Sequence, residues 1–213
     1  MQERVAVLTG DLVKSTRSPR DWSDTAFERL TAADEQLRRQ LGRAEDPKLE
    51  RFRGDGWQAL IRSERHALRA ALVFAAAARS VHTKMATRIS VGVGHAAPLA
   101  SAGLGASDGP AFRLSGRGLE HMKRSALFTL VTQADGESGT WPWSAFTLAG
   151  AVAEAWTQQQ AEVMRWLLLP TPPTQTALGA RLGITQQSVQ GRFDNGSGGV
   201  LVEVLERLET ADE

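Results

Sequence analysis

The chain has 213 residues, 42% of them hydrophobic and 23% charged, with no cysteine and a formal charge of +1. This is an ordinary globular composition with room for one good core and a small second domain. It excludes disulfides and thiolate metal sites, and four histidines (His66, His82, His95, His121) without close ligand spacing argue against zinc. The charge is unevenly spread: residues 160 to 213 carry four arginines against seven acids, net −3, leaving +4 on the rest. No basic-then-apolar leader pattern opens the chain, and no apolar run approaches the roughly 20 residues needed to span a bilayer. The expectation is a cytoplasmic protein with no membrane contact.

In chain order, VAVLT (5–9) reads as a buried strand, and Phe27, Leu30, Leu37 and Leu41 repeat at helical spacing from Asp21 to Gly42. KLERFRGDGWQALIR then reads as a hairpin turning at Gly54, Asp55 and Gly56, where glycine tolerates positive φ. Residues 64–80 are rich in helix formers, and TRISVGVGHA alternates as a strand. A Gly/Ala/Ser loop (97–109) leads to PAFRLSGRGLEHMKR, a helix with Pro110 at its first position, and ALFTLVTQ reads as a further strand. This succession predicts an α+β fold, a helix-covered antiparallel sheet of the ferredoxin-like or split βαβ kind. Residues 141–170 read as helix, ended by Pro170, Pro172 and Pro173. The predicted division is residues 1–140 for the sheet domain and 141–213 for a helical connector and a small all-α domain.

Asp11 ends the first strand and Asp55 sits at the hairpin tip. Taken alone, each is a turn residue beside a glycine. If the hairpin pairs beside the first strand, the two carboxylates meet at one end of the sheet, and a hard cation such as Mg²⁺ or Mn²⁺ would neutralise them, since such ions need only one or two protein carboxylates. Gly10 and Gly54 would then let a ligand approach the backbone. Arg113, Arg117 and Arg124, at spacings of four and seven, share one face of the helix from Pro110, a face suited to a triphosphate or simply to solvent. Gly116 and Gly118 within it point to close packing or close ligand approach. GVGHAA (92–97) loosely fits a dinucleotide fingerprint, but Pro98 and the glycines after it deny it the helix which that motif requires.

The segments DLVKST, RFRGD, RISVGVG and GPAFRLSGR occur in the order of the motifs of class III nucleotidyl cyclase domains, over about residues 5 to 135. With GDGWQ and DGPAF they more closely resemble the SatD family, in which a cyclase-like region is joined to a C-terminal helix-turn-helix. The resemblance implies that Asp11 and Asp55 bind Mg²⁺ or Mn²⁺ with ATP or GTP, that the backbone of Leu12, Val13, Lys14, Ser15 and Thr16 lies near the phosphates, and that Arg51 stands where cyclases carry a base-recognising lysine. It implies that Arg117 stabilises phosphate charge and that the molecule is a homodimer with composite sites. Arg113 occupies the place where active cyclases have asparagine, a departure that favours nucleotide binding over cyclisation, because arginine adds phosphate affinity without an amide's geometry.

TQTALGARLGITQQSVQGRF (174–193) resembles a helix-turn-helix: Leu178 and Leu182 pack inward, Gly183 turns, and Ile184, Val189 and Phe193 pack a second helix capped by Thr185. Its polar face, Gln186, Gln187, Ser188, Gln190 and Arg192, could read base edges, while the local acidity suits a protein-docking element equally well. Residues 196–208 read as a turn and a helix, a wing or a dimerisation element. The leading expectation is metal-dependent nucleoside triphosphate binding, with cyclisation or other turnover, coupled to a helix-turn-helix; its alternative is a catalytically inactive, nucleotide-sensing, DNA-binding regulator.

Overall fold

The structure, a computed structural model, describes residues 4–13, 20–52, 54–132 and 141–210. Its elements are β1 (Arg4–Val13), α1 (Arg20–Gln40), β2 (Glu50–Phe52), β3 (Gly56–Ile61), α2 (Ala67–Arg79), β4 (Ala86–His95), α3 (Pro110–His121), β5 (Phe128–Thr132), α4 (Trp141–Glu154), α5 (Gln158–Leu167), α6 (Gln175–Leu182), α7 (Gln186–Asn195) and α8 (Gly198–Thr210). The fold is α+β, as the sequence predicts. The sheet order is β2-β3-β1-β4-β5. The first four strands pair antiparallel, but β5 joins β4 in parallel. The sheet is therefore mixed, not wholly antiparallel, because α3 carries the chain back over the sheet between β4 and β5 as a crossover.

Val5 to Leu8 are all buried, because β1 is covered on both faces. Ala6, Leu8 and Leu12 belong to the large core with α1 and α2, while Val5 and Val7 pack with Leu60, Leu104, Ala111 and Phe112 under α3. Alanine makes α2 possible where it lies: Ala67 to Ala78 are buried without exception, and the helix touches α1, α4, α5 and β4. On the other face α3 lies directly on β4, since a Cβ at Gly92 would run into the backbone of Ala111 and Ser115, and one at Gly118 into Ser90 and Val131. The Ser115 and Thr9 hydroxyls share a buried hydrogen bond of 2.7 Å, and Gln58 Nε2 donates to Thr9 Oγ1 at 3.1 Å.

The hairpin is shorter on one side than expected, with three residues in β2. A buried carboxylate holds the chain leading into it: Asp34 Oδ2 accepts from Arg38 Nε (2.9 Å) and from the Leu49 amide (3.0 Å). Burial pushes the Asp34 carboxyl up, against the Leu49 amide and the Arg38 guanidinium.

The predicted helix over 141–170 is two helices. Thr157 breaks it with a capping box, its Oγ1 accepting from the Gln160 amide (3.2 Å) while Gln160 Oε1 accepts from the Thr157 amide (2.8 Å). Residues 198–210 are helix, and no strand follows β5 among the described residues, so the wing alternative falls. The prolines 170, 172 and 173 separate α5 from α6, yet one continuous core runs from Leu8 in the sheet to Leu205 in α8. Among the described residues no helix is long and apolar enough to cross a membrane.

A buried clasp fastens α8 to the sheet half. Arg69 donates from Nε and Nη2 to Glu209 (2.6 and 2.7 Å) and from Nη1 to the Leu168 carbonyl (2.8 Å), with His66 Nδ1 at 3.2 Å from the same carboxylate. Burial pushes the Glu209 carboxyl up, but the His66 and Arg69 side chains outweigh it and hold the group below its usual 4.5. A depressed carboxylate contributes stability above the usual value and loses it as pH falls through the folded one. Glu209→Gln is expected to cost about 3 kcal/mol, as for removing one partner of a buried pair. Urea unfolding at pH 7 checks this, and repeating it below the usual carboxylate range should shrink the difference from the parent protein.

Candidate functional site

β1 lies between β3 and β4, and its register decides what meets at its C-terminal end. Asp11 is opposite Gly56 on β3 and Arg88 on β4. The next amide, Leu12 N, donates to the Asp55 carbonyl at 3.0 Å. The turn carrying Asp55 therefore lies alongside Asp11, so the two acids that the sequence singles out come to one end of the sheet. Gly54 takes the left-handed conformation (φ 79°) that this tight turn needs.

Gly10 has a different task from the one expected of it. A Cβ there would collide with the indole of Trp57 and the Arg88 carbonyl, so the residue makes room for a ring, not for a ligand. The Trp57 Nε1 donates to Thr87 Oγ1 (2.8 Å), which donates in turn to the Asp11 carbonyl (3.0 Å). The backbone beneath the carboxylate is thus fixed from both neighbouring strands.

The electrostatics of the site turn on Arg88, which the sequence reading missed. Its Nε donates to Asp11 Oδ1 (3.0 Å) and its Nη2 to Oδ2, a two-pronged ion pair. The side chains are 25% and 31% exposed. The hydrogen bond with Asp11 raises the arginine's pKa above its ordinary value, against the opposing effect of burial. Period-two alternation places Arg88 on the strand, but only the β1/β4 register reveals what it faces. Among the described residues no three His, Asp or Glu side chains gather as a metal cage. A cation would rest on Asp11 and Asp55, with phosphate and water completing its shell, a donor set suited to Mg²⁺ or Mn²⁺. Its competitor for Asp11 is the Arg88 guanidinium.

The other predicted residues are not all at this end. Arg51 lies over the Phe27 ring at 4.2 Å and pairs with Asp24 (2.9 Å), among α1 side chains, with its Nε on the Gly54 carbonyl (2.8 Å). Leu12 points its side chain into the core and its amide is taken by Asp55, whereas Val13 is exposed. Lys14, Ser15 and Thr16 lie outside the described residues. Arg113, near the N-terminus of α3, is paired with Asp108 at 2.7 Å. The Gly109 amide and the Arg113 charge hold the Asp108 carboxyl below its usual range. Arg117 is exposed and has no carboxylate partner among the described residues. It stands on the half of α3 that crosses β4 toward Arg88, since Ala111 and Ser115 lie over Gly92 and Gly118 over Ser90. Arg124 is past the end of α3 at His121 and does not share its face. Gly118 is a close-packing residue, while Gly116 faces open space.

In the C-terminal segment α6 and α7 are joined through Gly183, left-handed at φ 67°, and Thr185, whose Oγ1 accepts from the Ser188 amide at 3.1 Å. Leu178 and Val189 are buried, with Leu182, Ile184 and Phe193 packed beside them, as expected. Gln186, Gln187 and Ser188 are exposed at the start of α7. Gln190 and Arg192 are half-buried, and Gln190 is engaged with Asp194 at 2.7 Å.

Two glycine substitutions separate packing from ligand approach. Gly10→Ala should destabilise by about 2–3 kcal/mol through overpacking against Trp57. Gly116→Ala, in an open helix interior, should stabilise by up to about 1 kcal/mol. Thermal or urea unfolding of both variants checks the pair. No model of a known protein family matches the chain, and no curated protein matches it either.

Proposed function

We propose that the sheet half binds a nucleoside triphosphate, ATP or GTP, together with a divalent cation, in the manner of a class III cyclase-like domain, and that it is coupled to a C-terminal helix-turn-helix. The observation that carries the reading is the β1/β3 register, which sets Asp11 beside the turn bearing Asp55. The β-α-β-β-α-β succession with sheet order β2-β3-β1-β4 supports it, being the order of a ferredoxin-like arrangement. Asp11 and Asp55 would hold Mg²⁺ or Mn²⁺, and the ion would supply positive charge to the triphosphate. Arg117, exposed and without a carboxylate partner among the described residues, would meet phosphate oxygens, a role for which a cation held in place is suited. In the homodimer that the resemblance implies, that arginine would serve the partner's acids.

Arg88 sets the terms of metal binding. A unit charge at roughly 4 Å from another costs about 4 kcal/mol at an effective dielectric of 20, so an ion on Asp11 requires the guanidinium to swing aside. Manganese binding, followed by electron paramagnetic resonance with and without ATP or GTP, tests the reading. Asp55→Ala should abolish binding, and Arg88→Gln should tighten it by about tenfold or more. Failure of both the parent protein and Arg88→Gln to bind manganese sinks the proposal.

The Arg88–Asp11 pair, together with Arg113 held on Asp108, favours a second reading. Here the domain senses a nucleotide without turning it over, and α7 with its exposed Gln186, Gln187 and Ser188 meets DNA. Incubation with each nucleotide and metal, with products followed by mass, separates the two. Turnover lost in Asp55→Ala supports the enzyme. Its absence, joined to nucleotide-dependent and salt-sensitive binding of duplex DNA by fluorescence anisotropy, supports the regulator.

A further inference from the structure

Away from the acids, a cleft of about 600 Å³ opens between α1 and α6. Gln36 and Gln40 line it from α1, Trp166 from α5, Pro172 and Pro173 from the connection, and Arg181 from α6. Its size lies within the range of small-molecule sites, and its lining divides evenly between polar groups (Gln36, Gln40, Thr171, Arg181) and apolar walls.

The charge around Trp166 is unbalanced. Arg29 and Arg165 both pair with Glu162, at 3.2 and 2.6 Å. Arg165 and Arg181 both lie over the Trp166 ring, at 4.5 and 3.9 Å from its centroid. Two guanidiniums thus share one carboxylate, with a third stacked on the same ring. Burial pulls the Arg165 pKa down, and the charges of Arg29 and Arg181 add to this against Glu162. Arg181 itself has no carboxylate partner among the described residues, although a stacked guanidinium keeps its hydrogen-bond donors free at the edge. The Trp166 indole is 6% exposed and its Nε1 is buried without an acceptor, a cost that native structures seldom carry without reason.

We propose that this cleft binds a small organic anion: a carboxylate on a flat apolar body, the carboxylate on Arg181 and the body against Leu169, Pro172 and Pro173. Charge decides the head group, since among the described residues the one carboxylate there, Glu162, is engaged by Arg29 and Arg165 and leaves Arg181 without one. The proline and tryptophan walls decide the body, which a bare inorganic anion would leave unused. The occupant spans α1 and α6, the first helix of the C-terminal pair. This site does not depend on the reading of Asp11 and Asp55.

Indole-3-acetate and its neutral isostere indole-3-acetamide are the probes, titrated into the full chain by calorimetry and by ¹H–¹⁵N NMR of the indole signals. The acetate should bind at least about tenfold more tightly than the acetamide, the scale of one charge-assisted hydrogen bond, and should shift the Trp166 indole signal. Arg181→Gln should remove that advantage, Arg181→Lys should keep part of it, and Arg207→Gln on α8 should leave it intact. Equal binding of the two probes, binding indifferent to Arg181→Gln, or no binding of either at millimolar concentration overturns the proposal.

Discussion

The indole of Trp57 lies over the α-carbon of Gly10, and with its bond to Thr87 it locks β3, β1 and β4 together at one height. A strand pair slipped by one residue turns every side chain to the opposite face. Here that slip would carry Asp11 from the α3 side into the core and bring Gly10 out, so the large ring and the missing side chain together act as a register pin. Thr87 extends the pin to the carbonyl of Asp11 itself. The placement of the acid is thus inherited from the packing of the neighbouring Gly10 against Trp57, not from the local turn that Gly-Asp would suggest.

Once Asp11 is fixed, its environment is decided by β4. A lone carboxylate at the end of a three-strand junction would be solvated or would recruit a cation; this one has a guanidinium delivered by the same register. The pair is only partly buried, so its strength is modest and its geometry can open, as the proposed exchange of the guanidinium for a metal ion would require. The uneven charge of the chain has the same logic on a larger scale. The acids of the last helix serve as internal counter-ions, as Glu209 does for Arg69, and leave fewer charges than the sequence implies to repel a polyanion.

What could be read in advance was what local chemistry decides. The positive φ at Gly54, the cap at Thr185, the buried faces of Leu178 and Val189, and the helix start at Pro110 each follow from a few neighbouring residues. The Thr157–Gln160 capping box was equally local and was overlooked, because the apolar run around it favoured one long helix. By contrast, Trp57 over Gly10 and Arg88 on Asp11 join residues 47 and 77 positions apart. No periodicity announces such partners; only strand order and register do. The candidate site was accordingly half visible: the two acids that come to one end of the sheet could be named, while the arginine that pairs with Asp11 could not. The partners of Arg51 were likewise out of sight, since Phe27 and Asp24 come to it from α1 and the Gly54 carbonyl from the turn.

The clasp between Arg69 and Glu209 closes across 140 residues of chain. At a synthesis rate of 5–20 residues per second, α2 waits roughly 10–30 s on the ribosome before its partner exists. Until α5 emerges the alanine-rich flank of α2 that receives it is uncovered, and until α8 follows the Arg69 guanidinium lacks its carboxylate. The sheet half can assemble around α1 and β1 in the meantime, but the nascent protein passes through a stage in which the part of the core shared with α5 and α8 is open, and that stage is where a chaperone would find it.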